Sequence, residues 1–189
     1  MLRVLIIESH AERAAMLVPA LQAANCEVIV SVHTARTLDV EVAALQPDIV
    51  IIAQDSPDRD TLEHICVANQ YCPRPIVMFT DDARPESIRA ATQAGVTSYV
   101  IDGMDAARIR PILDVAMSRF QAYQALHDEL DHARLQLDER KLVDQAKAQL
   151  IRHTGSSETE VYREMRRTAM DHGVRIVDIA RQILQKTIV

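Results

Sequence analysis

Five short apolar runs, each followed by a stretch of helical periodicity, constrain this chain more than any other feature. The runs are RVLIIE (3–8), EVIVSV (27–32), DIVIIA (48–53), PIVMFT (75–80) and TSYVID (97–102). They are rich in β-branched residues and nearly continuous, the pattern of strands buried on both faces. Between the first two, Met16, Leu17, Leu21 and Ala24 recur at helical spacing toward a core, and Asn25 is a stop. Further on, ARTLDVEVAALQ closes at Pro47 and RDTLEHICVANQ ends near Cys72-Pro73. PESIRAATQAG has Pro85 at its start and Gly95 at its end, the asymmetry expected of a helix. Strands interleaved with helices predict a parallel sheet covered on both faces.

The expected fold class is therefore α/β. Residues 1–105 should form a flavodoxin-like doubly wound sheet of five parallel strands, with its site beyond the carboxyl ends of the strands. Those ends carry Glu8 and Ser9, Ala53, Thr80, and Asp102.

A polar helical pattern begins near Ala106 and runs without Pro or Gly from Ile112 to Thr154. Ala116, Arg119, Tyr123, Leu126, Leu130, Ala133 and Leu137 keep 3-4-3-4 spacing. Apart from Arg119 this is a coiled-coil seam. Residues 106–138 are read as a linker helix that joins two copies through Tyr123, Leu126, Leu130, Ala133 and Leu137; packing of the stripe on the first domain is the alternative.

Residues 139–189 complete a small three-helix domain. Its second helix opens with a Ser157-x-x-Glu160 capping box and closes at Gly173. Val161, Met165 and Ala169 form one face; Arg163, Arg166 and Arg167 share another. Ile176, Ile179, Ala180 and Ile183 of the last helix face inward.

Charge divides along the same lines. From Glu139 onward there are ten Lys/Arg against seven Asp/Glu, whereas the whole chain stands at −6. An acidic body with a mildly basic tail points any polyanion to the tail. The cysteines, Cys26, Cys66 and Cys72, are odd in number and contain no CxxC pair, so reduced thiols are expected and no metal site. No apolar run approaches the roughly 20 residues of a membrane span. The N-terminus lacks the basic region and cleavage site of a signal peptide, so no membrane association and a cytoplasmic location are expected. No nucleophile–base pair, metal cluster or phosphate-binding glycine loop is visible, and there are four glycines in all. An enzyme is the least favoured class, and no cofactor is expected.

The first 105 residues resemble the receiver domain of bacterial response regulators. That pattern has an acidic pair after strand one, an acceptor aspartate after strand three, Ser/Thr after strand four and lysine after strand five. Here the acidic pair survives as Glu8 beside Ser9, the acceptor position is Ala53, Thr80 keeps the hydroxyl, and Asp102 replaces the lysine. Phosphoryl transfer to aspartate needs a carboxylate nucleophile and a cation held by clustered carboxylates. Alanine has no nucleophile, and Asp55, two residues on, should differ in direction and reach. The resemblance implies a pseudo-receiver that binds without being phosphorylated. Asp55 is read as a solvated rim carboxylate; the role of Glu8 is left open.

The tail resembles the ANTAR domain, a three-helix RNA-binding module. The resemblance is carried by Ala146-Lys147, Leu150, Val161-Tyr162 and Arg166-Arg167-Thr168-Ala169-Met170, in order, spacing and helix phase. Ala148 and Ile151 depart mildly from the family's glycine and methionine. Over its whole length the chain is similar to the NasT-like group of nitrate/nitrite-assimilation antiterminators. That group retains an aspartate at the Ala53 position.

The resemblance implies binding of leader RNA hairpins and control by a nitrate-sensing partner of the periplasmic-binding-protein type. Lys147 is the first candidate for RNA contact, then Arg166 and Arg167, then Arg140, Lys141, Arg163 and Arg175. Tyr162 either stacks on a base or packs in the core. The rival readings are a protein-only adaptor and, less favoured for want of a helix-turn-helix pattern, a DNA-binding regulator.

Overall fold

The computed structural model describes residues 1–8, 11–31, 38–101 and 106–185. In chain order the elements are β1 (Leu2–Glu8), α1 (Ala11–Ala23), β2 (Cys26–Ser31), α2 (Leu38–Leu45), β3 (Ile49–Ala53) and α3 (Arg59–Tyr71). They continue with β4 (Ile76–Thr80), α4 (Pro85–Ala94), β5 (Ser98–Ile101), α5 (Ala106–Thr154), α6 (Glu158–Asp171) and α7 (Ile176–Gln185). The chain divides into two compact units, 1–124 and 125–189, and α5 contributes to both.

The first unit is a five-stranded parallel sheet of order β2-β1-β3-β4-β5, the flavodoxin-like order. Side chains alternate across it. Val4, Ile6, Ile49, Ile51, Val77 and Phe79 point to one face and pack against α1 and the start of α5. Leu5, Ile7, Val50, Ile52, Ile76 and Met78 point to the other and pack against α2, α3 and α4. All five β3 residues are buried, as their unbroken apolar run requires. Each fully buried Leu or Ile contributes roughly 1.5–3 kcal/mol of transfer free energy, so this double aliphatic core dominates the unit's stability.

Chain reversals follow the sequence. Asn25 and Gln46 adopt positive φ (59° and 46°), ending α1 and α2. Gly95 ends α4 at φ 105°, and a Cβ there would overlap the Asn69 side chain. Asn69 donates to the Ala94 carbonyl at 3.1 Å, so the glycine admits a close helix–helix contact as well as the backbone turn.

Two expectations are corrected. Met16 is 61% exposed. The buried face of α1 is Ala14, Leu17 and Leu21, spaced 3 and 4, and Met16 sits about 100° from Leu17 around the helix. Ala116 is fully buried with Ile109 and Leu113 in the sheet-side core, so the upper end of the α5 stripe packs within the first unit. Lower down, Tyr123, Leu126, Leu130 and Leu137 are between 46% and 66% exposed.

In the second unit α5 ends at Thr154, and Gly155 turns the chain at φ 65°. Ser157 caps α6: the Glu160 amide donates to its Oγ at 3.3 Å, and its own amide donates to the Glu160 carboxylate at 3.0 Å. Val161, Met165 and Ala169 of α6 meet Ala146 of α5 and Ile179 and Ala180 of α7 in one small core. Ala146 is fully buried, and its small side chain lets the helices approach. The three thiols are free: Cys26 buried, Cys72 intermediate, Cys66 exposed.

Candidate functional site

Two places gather the residues singled out in the sequence. The first is the carboxyl rim of the sheet. Parallel pairing sets Glu8 of β1 in register with Ala53 of β3, at the point where strand order reverses. Ala53 is in turn paired with Phe79, next to Thr80. The register thus brings Glu8, Ala53 and Thr80 together; Ser9 and Asp102 lie outside the described residues.

The rim is occupied by internal bonds. Glu8 is buried, 1% exposed. The Thr80 hydroxyl donates to the Asp55 carbonyl at 2.8 Å. The Asp55 carboxylate, though mostly exposed, is ion-paired with Arg13 of α1. That pairing, with Glu8 and Asp81 near by, raises the Arg13 pKa further.

Asp82, just past β4, accepts five hydrogen bonds from described residues through its carboxylate. Its buried carboxylate accepts from Ser56 Oγ at 2.8 Å, Ser87 Oγ at 2.7 Å and the Arg84 guanidinium at 2.7 and 2.9 Å. It also accepts from the Arg84 amide at 2.9 Å. The Arg84 bonds first, then the serine hydroxyls, hold this carboxyl well below the usual carboxylate range. The Tyr99 hydroxyl of β5 donates to the Asp82 carbonyl at 2.8 Å, tying β5 to the same loop. The Asp-Asp-Ala-Arg string gave no signal of this in the sequence: Arg84 and Ser87 are local partners, but Ser56 and Tyr99 reach Asp82 from other parts of the chain.

The receiver fold implies a divalent cation at this rim. The described residues do not fit one: Ala53 offers no ligand, Asp55 is already paired, and no three described His, Cys, Asp or Glu side chains cluster so as to hold a metal.

The second place is a cleft of about 460 Å³ in the 125–189 unit. Arg140, Lys147, Tyr162 and Arg175 line it, with Glu139 and Asp144; Val143, Ile176 and Val177 supply apolar wall. The cleft exists because α5, the second turn of α6 and the first turn of α7 meet around the small Ala146. Three of the seven basic candidates therefore share one cavity. Lys141, Arg163, Arg166 and Arg167 do not line it. Arg166 follows Tyr162 by one turn on the flank of α6, while Arg163 and Arg167 point away from the Val161, Met165, Ala169 face; all three are exposed.

The cations of the cleft differ in state. Lys147 Nζ lies 2.7 Å from Asp144 and 2.8 Å from Glu158 at the start of α6, and its side chain is only 16% exposed. The bond to Asp144, then that to Glu158, raises its pKa, and Lys147 in turn lowers that of Asp144. The same ammonium stands 5.9 Å from the centroid of the Tyr162 ring. Arg175 is bonded to Glu139 at 2.7 Å but stays largely exposed. Tyr162 is 44% exposed, so it lies at the wall of the cleft and outside the core.

Residues 131–184, which hold every lining residue of this cleft, match the ANTAR domain family. The tail carries an ANTAR domain. Two regulatory proteins are similar to the chain in sequence. The transcriptional regulatory protein PdtaR of Mycobacterium tuberculosis is 29% identical over 147 residues, 77% of this chain and 72% of that protein. The nitrate regulatory protein of Klebsiella oxytoca is 32% identical over 75 residues, 40% of this chain and 19% of that protein. Ahead of the ANTAR domain lies a receiver fold. A CheY-like response regulator receiver domain from Methanospirillum hungatei superposes with a TM-score of 0.57 at 16% identity, covering 65% of this chain and 98% of that one. No described helix of this ANTAR-domain protein is long and apolar enough to cross a membrane.

Proposed function

We propose that this ANTAR-domain protein is a transcriptional regulator that acts by antitermination. Its tail holds hairpins of a nascent leader RNA that overlap a terminator, so that the terminator does not form and transcription reads through. In this reading residues 1–105 are a pseudo-receiver, 106–138 a dimerising helix and 139–189 the RNA-binding part. The observation that carries it is the cleft, which gathers Arg140, Lys147 and Arg175 around Tyr162 inside the segment matching the ANTAR family. Cations provide a salt-dependent attraction to phosphate, and an aromatic wall suits bases unstacked from a loop.

The exposed stripe Tyr123, Leu126, Leu130 and Leu137, with Ala133, supports a homodimer through α5. Two tails on one dimer engage two linked hairpins, and joining the events raises effective concentration. Control falls to a partner protein rather than to phosphorylation, since the rim is bonded internally and lacks a carboxylate at Ala53. The nitrate regulatory relative and the NasT-like resemblance favour nitrate/nitrite assimilation as the regulated process and a nitrate-sensing, periplasmic-binding-protein-like partner.

A second reading, a protein-only adaptor, is favoured by one observation: Lys147 and Arg175 already carry carboxylate partners. Titration of the full chain with an RNA of two linked hairpins, a scrambled RNA and duplex DNA separates the two. Preference for the hairpins, weakening steeply with salt, is expected; equal affinity for hairpin and scrambled RNA selects the adaptor.

A further inference from the structure

The charge around Lys147 argues against the role its sequence position suggests. One ammonium stands against two carboxylates, Asp144 at 2.7 Å and Glu158 at 2.8 Å. If all three groups are ionised the cluster carries a net single negative charge, and at close range that repels a phosphate. The side chain is also largely covered. To reach a phosphate it would have to abandon both partners and leave Asp144 and Glu158 facing the RNA. What Lys147 does reach is the Tyr162 ring, and Glu158 lies one turn before Tyr162 on α6. Lys147 therefore clamps the first turn of α6 to α5 and covers one side of the aromatic ring. The ring remains 44% exposed at the wall of a cleft whose other surfaces are Val143, Ile176 and Val177, with Arg140 and Arg175 at the polar edge. An aromatic plate, apolar walls and a few donors match one unstacked nucleobase, whose faces are apolar and whose edges form hydrogen bonds.

We infer that this cleft receives a single unpaired base of the RNA, seated against Tyr162, and that Lys147 is a positioning residue that holds the ring without touching phosphate. This rests on the RNA reading above. Phosphate contact then falls to arginines outside the Lys147 cluster.

The test uses the full chain and an RNA selected on it from a library of two linked hairpins with randomised loops. Tyr162→Leu keeps apolar bulk and removes the plate; it should weaken binding by roughly 5- to 150-fold, the range of one base–aromatic stack. Tyr162→Phe should bind like wild type. Abasic replacement at one loop position should cost wild type a similar factor and cost Tyr162→Leu almost nothing. Lys147→Ala should weaken binding with the slope of log affinity against log salt unchanged, whereas a phosphate contact would flatten that slope by about 0.7. Glu158→Gln separates the two roles by salt slope and, being at an exposed side chain, leaves the fold intact. It leaves the slope at the wild-type value if Lys147 positions the ring, and steepens it by about 0.7 if it frees Lys147 for a phosphate. A steeper slope in Glu158→Gln, or wild-type affinity in Tyr162→Leu, overturns the proposal while leaving RNA binding in place. Failure to select any RNA over a scrambled control removes the RNA reading and this proposal together.

Discussion

Arg13 of α1 and Asp55, two residues beyond β3, form an ion pair across the rim of the sheet. The carboxylate nearest in sequence to the empty acceptor position is thus already partnered by a side chain, and the Thr80 hydroxyl is engaged with the Asp55 carbonyl. Incubation of the protein with acetyl phosphate and magnesium should add no phosphate to its intact mass. A stable stoichiometric adduct would sink the pseudo-receiver reading.

Leu130 sits in the middle of the exposed α5 stripe. In a symmetric pair each leucine is buried twice, once per copy, at roughly 1.5–3 kcal/mol each. Leu130→Glu sets two like charges against each other in that contact and should give monomers of unchanged helix content. Sedimentation that finds the wild-type oligomer in a folded variant would remove the stripe from the dimer interface.

Arg140 lines the cleft, and Arg166 stands one turn beyond Tyr162 beside Arg167. For each phosphate contact removed, the salt slope of RNA binding should fall by about 0.7. Arg140→Ala should show this, and Arg166→Ala with Arg167→Ala should lose most binding. Circular dichroism should stay unchanged, since the buried face of α6 is Val161, Met165 and Ala169. Wild-type titrations in both variants would mean the RNA lies on another face.

Asp82 titrates abnormally low in the folded protein because Arg84 and two serines bond its ionised form. A depressed folded pKa stabilises the fold above the ordinary aspartate value of about 3.9, and the gain is lost as pH falls below it. Asp82→Asn should therefore lower the melting temperature at neutral pH, and the gap to wild type should narrow below about pH 4. A gap that is constant with pH would show that shape rather than charge holds the loop.

The sheet was legible because its strands are unbroken β-branched runs and its helices begin and end on Pro, Asn and Gly. Such local signals do not depend on where distant residues lie. The interior of the tail was legible for the same reason, from the capping box to the spacing of Val161, Met165 and Ala169. Pairings across the chain were not. Lys147–Asp144 is three residues apart and readable on one helix, but Lys147–Glu158 depends on the angle between α5 and α6. Arg13–Asp55 spans 42 residues. The Met16 error shows the limit of periodicity itself, since a four-residue apolar cluster does not say which of its members faces the sheet.

The chain has four tyrosines and no tryptophan, and its structure distributes them one to a surface. Tyr71 projects into solvent from the end of α3. Tyr99 is bonded into the loop after β4, Tyr123 lies in the α5 stripe and Tyr162 walls the cleft. Fluorinated tyrosine incorporated throughout would give one resonance for each region, with Tyr71 as an internal reference. Occupation of the sheet rim, pairing of helices and loading of the cleft would then appear as separate lines in one spectrum, and their order during assembly would be read directly.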